Sequence, residues 1–399
     1  MKNIPFIKYT CYGNNFVVID ETVTPILSEE KKSRFAYHAA NTFFGIGCDN
    51  LLVIQRCTDE VLSRIDNARG YWESMPDSSD ADFVFRMFEP NGDEAFCCGN
   101  GLMSVASLLC ERYGIESAKI MTEVPLPSPR VLDIGKCTDG KSSWVNLGRP
   151  RRVPVEMAAH PSRRPVHECI DVLDEITIRL RSHDLRAYSE HSSLRMSAYL
   201  VFTGEPHLVV FPHESFSEST LAKPIFTLAN PESRDTRVRS RVSVGSWLVR
   251  RIGAFLNDRY HHHFPAGINV DFAHVDTERG AIVYRCFERG IERETLACGT
   301  GAMAIAVVAK HLGYLHGRET RVLPYLCRRH DSDAEIRIIE APNGDWRVEG
   351  TPILLMEGDF RLAAYDKETD SSNKFASSTV ALLTLEEQLL LKRAAGLDV

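Results

Sequence analysis

Cys98-Gly99-Asn100-Gly101-Leu102-Met103-Ser104-Val105-Ala106 and, about 200 residues later, Cys298-Gly299-Thr300-Gly301-Ala302-Met303-Ala304-Ile305-Ala306 are two copies of one pattern. Each follows a second matching stretch, Phe85-Arg86-Met87-Phe88-Glu89 in the first copy and Tyr284-Arg285-Cys286-Phe287-Glu288 in the second. Further upstream, Gly13-Asn14-Asn15-Phe16-Val17-Val18 corresponds to Gly204-Glu205-Pro206-His207-Leu208-Val209-Val210. Self-similarity in the same order at three places marks a duplicated module.

Within each copy short apolar runs such as 17–20 and 51–55 read as strands, and one strongly apolar helix follows each Cys-Gly-x-Gly, over about 102–113 and 302–312. Strands with one central helix per copy give an α+β module, and two such modules facing one another create a cleft. The expected division is residues 1–150, with an insertion at about 57–80, and residues 196–365. A segment rich in Pro and Arg at 151–195 reads as inserted, and both insertions read as surface excursions or lids. Beyond 366 a Ser/Thr-rich linker leads to Thr384-Leu385-Glu386-Glu387, a capping box opening a short tail helix. That helix suits packing or self-association, a homodimer being one assembly it allows.

Composition narrows the function classes. With 47 basic and 54 acidic residues among 399, the formal charge is −7, which disfavours nucleic acid as a partner. No apolar run reaches the roughly 18 residues of a membrane span, and the start, Met1-Lys2-Asn3-Ile4-Pro5, has no secretory apolar region, so a cytoplasmic protein is expected. The eleven cysteines include no Cys-x-x-Cys pair, which argues for reduced thiols rather than a zinc ribbon or a thioredoxin-type centre. His261-His262-His263 reads as a solvated loop, because consecutive residues do not all face one ion, and no metal site is expected.

The two Cys-Gly-x-Gly turns carry the chemistry. A thiol at the first turn of a helix sits beside unpaired N–H groups and the positive end of the dipole, so its pKa is expected to fall. The glycines let backbone approach an anion closely, so the N–H groups of Gly99, Asn100, Gly299 and Thr300 are suited to a substrate carboxylate. Two such thiols meet the need of stereo-inversion, in which one group removes a proton from one face of a carbon and another delivers a proton to the opposite face. No Rossmann fingerprint or Schiff-base signal accompanies them, and no cofactor is expected.

These motifs resemble the diaminopimelate epimerase family, the pyridoxal-independent two-cysteine amino-acid epimerases. The resemblance runs from about residue 5 to 360 and also covers Gly45-Ile46-Gly47-Cys48-Asp49-Asn50-Leu51-Leu52, Ile268-Asn269-Val270, Glu288-Arg289-Gly290 and Ala297-Cys298-Gly299-Thr300-Gly301. It implies an α+β fold of two pseudo-symmetric barrel-like halves, each a curved sheet around its helix with the active site in the cleft between them, and Cys98 and Cys298 as the acid/base pair, with Cys97 a neighbour. It further implies that His207 and Glu288 support the substrate amino group and the proton transfers, and that Asn14, Asn269 and Arg289 bind substrate. Three positions depart from the family pattern. Asn50 stands for Gln, Glu89 for the Asn before Ala-Asp-Gly, and Glu205 for the Asn of Gly-Asn-Pro-His. The family's amides help recognise the distal carboxylate of diaminopimelate. Added carboxylates would repel it and attract a cation, so a basic amino acid such as histidine, lysine, ornithine or arginine is the expected substrate, with diaminopimelate the alternative. A thiol-free isomerase of the phenazine-biosynthesis type and a non-catalytic amino-acid sensor are the rivals, and the retention of both cysteines speaks against each.

Overall fold

The computed structural model describes residues 3–179, 193–215, 225–226, 236–291 and 293–361. The tail helix expected beyond 384 lies outside them. Two compact units divide the chain: residues 1–146 joined by the chain beyond 348, and residues 147–348.

The first unit is built on β1 (Asn3–Cys11), β2 (Asn14–Glu21), β3 (Asn50–Arg56), β4 (Phe83–Phe88), β5 (Glu94–Ala95), β6 (Ser117–Thr122), β7 (Arg130–Lys136) and β8 (Ser143–Gly148). Its pairings are antiparallel except for two, β2 with β3 and β4 with β6, where the chain crosses over through helices. One crossover contains α1 (Glu29–Ala40); α2 (Asp59–Arg69) lies between β3 and β4; the other crossover contains α3 (Gly99–Tyr113). The second unit repeats this order. It comprises β9 (Arg163–Pro165), β10 (Ile170–Arg179), β11 (Ser193–Phe202), β12 (Pro206–Val210), β13 (Asn269–Asp276), β14 (Ala281–Glu288), β15 (Arg293–Thr295), β16 (Glu319–Pro324), β17 (Ile336–Glu340) and β18 (Trp346–Gly350). The parallel steps fall at the matching places, β12 with β13 and β14 with β16. Its helices are α4 (Pro212–Ser215), α5 (Thr236–Asp258) and α6 (Gly299–His311). The fold is therefore α+β with two barrel-like halves, as the repeat and the resemblance implied.

Helices α3 and α6 are apolar almost all round, and all but their ends are buried, as expected of a helix that a curved sheet encloses. Both begin at the glycine after the cysteine, three residues earlier than the apolar periodicity alone indicates. No helix of the described residues is long and apolar enough to cross a membrane.

Three expectations about organisation are corrected. Of the segment 151–195 expected as inserted, residues 163–165 and 170–179 are strands of the second unit, β9 pairing with β10 and β10 with β11. The arginines that gave this stretch a surface character are compensated: Arg163 reaches buried Asp171 at 2.6 Å. The second half does not extend to 365, since β19 (Ile353–Arg361) pairs along β1 and closes the first unit. The excursion at 57–80 is not a loose lid. Thr58 caps α2 by accepting from the Val61 N–H, and the helix buries Val61, Leu62 and Ile65 beside Trp72, Val84 and Met121.

Candidate active site

The duplication fixes which residues correspond. Asn50 and Asn269 each open the strand parallel to the one before it, facing Phe16 and His207 respectively. Across the next ladder Leu52 faces Met87 in the first unit, whereas Asp271 faces Cys286 in the second. The first helix start thus has apolar walls where the second has polar ones.

In the first unit Cys98 is the N-cap of α3, with extended backbone (φ −142°, ψ 119°), and its carbonyl accepts from the Leu102 N–H at 2.9 Å. It is half-buried, as are Cys97 and Gly99. Asn100 is buried and donates through its amide to the Asn14 side-chain oxygen at 2.7 Å. Asn14 follows a turn in which Tyr12 and Gly13 both have positive φ (52° and 86°), and this turn aims its side chain at the helix start. Glu89, just after β4, lies within hydrogen-bond reach of Asn50. Burial pushes its carboxyl up, the Asn50 contact opposes this, and Asp49 and Asp93 add to the rise. Asp49 itself is structural: it accepts from the Asn15 N–H at 2.7 Å.

In the second unit the helix start lies in a connected network. Cys298 is the N-cap of α6, and its Sγ accepts from the Gly301 N–H at 3.4 Å. The Tyr284 hydroxyl holds the turn from both sides, donating to the Cys298 carbonyl at 3.0 Å and accepting from the Cys298 N–H at 2.8 Å. Cys298 Sγ lies 3.3 Å from the Thr300 hydroxyl, which lies 3.0 Å from His207 Nε2. His207 Nδ1 donates to Asp271 at 2.7 Å, and the ring and the carboxylate are both fully buried. This bond assigns the proton to Nδ1, so Nε2 accepts from Thr300 and Thr300 accepts from the Cys298 thiol. Cys286, buried on β14, hydrogen-bonds to Cys298 as well.

Burial pushes the Glu288 carboxyl up to about 7; the Thr295 hydroxyl, which donates to it, opposes the rise, and nearby Glu205 adds to it. The expected fall in the pKa of a helix-start thiol is not what the structure gives at Cys298. The hydrogen bond from Cys286 favours the thiolate, but burial and the negative charges of Glu288 and Asp271 outweigh it and hold the thiol above its ordinary value. Cys298 therefore rests as the protonated acid at neutral pH.

Glu205, expected as a free carboxylate, is held by two partners. The Asn269 amide donates to it at 2.6 Å, and Arg289 Nε lies 3.6 Å away. Arg289 and Asn269 hold the Glu205 carboxyl below the usual range although burial pushes it up. Arg289 is also anchored by its backbone, which donates to Asn269 Oδ1 at 2.8 Å, and by its guanidinium, which donates to the Ala266 carbonyl at 2.6 Å. The structure thus brings His207, Glu205, Asn269, Glu288, Arg289, Cys298, Gly299 and Thr300 together in the second unit. In the first it joins Asn14 to Asn100 at the Cys98-Gly99 helix start and, as a separate pair, Asn50 to Glu89.

Sequence reasoning missed Asp271, Tyr284, Cys286 and Thr295. Period-two alternation from Asn269 along β13 was the available signal for Asp271, and alternation from Glu288 was the signal for Cys286 and Tyr284. The His261-His262-His263 triplet lies in a turn after α5, with the rings of His262 and His263 packed at 3.9 Å.

No family model matches the chain. Among curated proteins it is 30% identical over 312 residues to a diaminopimelate epimerase of Archaeoglobus fulgidus, covering 78% of this chain and 82% of that one. It is 28% identical over 353 residues to a diaminopimelate epimerase of an Azoarcus species, covering 88% and 94%. Among solved structures, a hydroxyproline epimerase from Agrobacterium vitis superposes with a TM-score of 0.50 at 14% identity, covering 90% of this chain and 92% of that one. A methylitaconate-delta-isomerase superposes with a TM-score of 0.51 at 11% identity, covering 94% and 100%. These two share the fold.

Proposed function

Because the chain belongs to the diaminopimelate epimerase family, an assembly of pyridoxal-independent isomerases, we propose that it inverts the α-carbon of a free amino acid by acid/base chemistry at Cys98 and Cys298. The observation that carries this reading is the pair of helix starts, each with a cysteine at the N-cap followed by Gly-x-Gly. In one direction a thiolate takes the α-hydrogen as a proton and becomes a thiol. The other thiol gives its proton to the opposite face of the carbon and becomes a thiolate. Electrons and protons balance within the protein and substrate, so the step consumes nothing. The α-carboxylate gains electron density as the C–H bond breaks, and backbone N–H groups at the two helix starts are the donors suited to stabilise it. Glu288, once ionised, is suited to the substrate ammonium, and the His207–Asp271 pair to orienting Thr300 and through it the Cys298 thiol.

For the substrate side chain we propose a basic group. Support comes from Glu89, a carboxylate on which Asp49 and Asp93 act as like charges, so an arriving cation would relieve repulsion there. A second reading, diaminopimelate, is favoured by Arg289, whose guanidinium offsets the charge of Glu205 and provides a partner for a distal carboxylate. The test is incubation of reduced protein in deuterated water with histidine, lysine, ornithine, arginine and diaminopimelate, reading deuterium at the α-carbon. Exchange in one of the basic amino acids is the expected result. Exchange in diaminopimelate alone replaces the substrate reading, and exchange in none of them removes the reaction class.

A further inference from the structure

Cys286 has no place in the two-thiol reaction, yet β14 carries it two residues before Glu288 and hence on the same side of the strand. The turn at the start of α6 brings Cys298 to the same point, and the donor atoms of Cys286, Glu288 and Cys298 all lie within 4.8 Å of one another. We propose that these three residues form a binding site for a soft divalent cation of the zinc class, beside the buried carboxylate of Asp271.

An independent observation supports a cation there. Asp271 is fully buried, and while one of its carboxylate oxygens bonds to His207, the other, Oδ1, has no hydrogen-bond partner among the described residues. A buried carboxylate oxygen without a partner signals a missing ion or donor. This oxygen faces the Cys298 turn: a Cβ built on Gly301 would stand 2.6 Å from it and 3.4 Å from Cys298 Cβ. Asp271 also lies directly across the β13–β14 ladder from Cys286. Arg285, the buried cation of the same strand, is already committed to Glu294 and Ser246. Three potentially anionic donors therefore converge beside a buried carboxylate oxygen that has no hydrogen-bond partner among the described residues.

The donor set selects the metal. Two thiolates with a carboxylate suit zinc or cadmium rather than magnesium or calcium, which take oxygen ligands. Tetrahedral zinc places its ligand atoms about 3.5–3.8 Å apart, so the side chains need close by about 1 Å. On binding, both thiols release their protons to solvent, so affinity rises by up to about a hundredfold per pH unit below the thiol pKa values. The first unit has no equivalent set, because Met87 and Leu52 occupy the positions of Cys286 and Asp271. A cation held here also occupies the Cys298 sulfur and so stops turnover; that consequence alone rests on the functional reading above.

The experiment is a cadmium titration of full-length, reduced, chelator-stripped protein, following the ultraviolet thiolate-to-metal charge-transfer band. One tight equivalent is expected, displaced by zinc and unaffected by magnesium. Cys286→Val should weaken it at least about a hundredfold, since even outer-shell changes commonly cost tenfold to a hundredfold. Cys97→Ala should titrate as the wild type does. A Cys286→Val titration equal to that of the wild type, or a folded wild type with no band, overturns the proposal. Cadmium binding lost in Cys286→Val, from a protein that exchanges no α-proton with any amino acid, supports the site and refutes the functional reading alone.

Discussion

Replacing Glu288 by Gln removes a carboxyl that the fold holds near neutrality. Burial raises it from 4.5 to about 7, against the opposing hydrogen bond from Thr295. A rise of this size corresponds to about 3 kcal/mol of differential interaction disfavouring the charged form, at about 1.4 kcal/mol per pH unit. If charged Glu288 receives the substrate ammonium, kcat/KM should be half its plateau near pH 7 and fall about tenfold per unit below that. The sign for stability follows from the same shift. Between pH 4.5 and about 7 the folded protein keeps a proton that the unfolded chain has lost, so stability declines as pH rises through this window and levels off above it. Glu288→Gln should abolish the acid limb and reduce the plateau. Its Tm relative to wild type should climb across the same window, read by calorimetry at half-unit steps. An acid limb that survives unchanged in the Gln variant, or a Tm difference independent of pH between 4.5 and 8, would refute the assignment.

Cys98→Ala and Cys298→Ala should each abolish α-proton exchange while Cys97→Ala retains most of it, and Ser replacements should lower kcat steeply with binding preserved, because a hydroxyl is a far weaker acid. Tyr284→Phe, which copies the first unit's Phe85, leaves the buried Cys298 N–H without its partner. Thermal unfolding should show a loss of about 1–3 kcal/mol, and kcat should fall with it; an unchanged Tm would show that another group satisfies that N–H. The double variant Glu89→Asn, Glu205→Asn should lower kcat/KM for the basic amino acid about tenfold or more, as expected for lost charge-assisted hydrogen bonds, and raise it for diaminopimelate as Arg289 is freed from Glu205. No change for either substrate would place both glutamates outside recognition.

The duplicated Cys-Gly-x-Gly turns made the fold class legible because a glycine-bearing helix start, an apolar helix and the strand before it recur in one order. The helix ends were less so: Gly99 and Gly299 are poor helix formers, and only the enclosing sheet makes them helical. Residues 163–179 escaped because their arginines look solvated until Asp171 is placed beside Arg163. Helix α5 was hidden by β-branched residues and glycine, though it buries Leu248, Val249, Ile252 and Leu256 and packs Gly253 against the Phe287 ring. At the site, residues within motifs were visible. The roles of Asp271, and of Tyr284 and Cys286 although they stand in the repeated stretch before Glu288, were not, because these roles arise from strand register, which a linear pattern does not record.

The unlike surroundings of the two helix starts bear on reversibility. For a racemase the overall equilibrium constant is unity, so thermodynamics forces kcat/KM to be the same for both enantiomers. If Cys98 and Cys298 are the acid/base pair, a thiol wired through Thr300 to a buried imidazole and one next to an Asn14–Asn100 pair should nevertheless give up protons at different rates. That difference has nowhere to appear except in kcat and KM separately, changed by the same factor. Unequal deuterium isotope effects in the two directions would accompany it, so a duplicated, nearly symmetric fold can run one enantiomer faster at saturation while leaving the final mixture even.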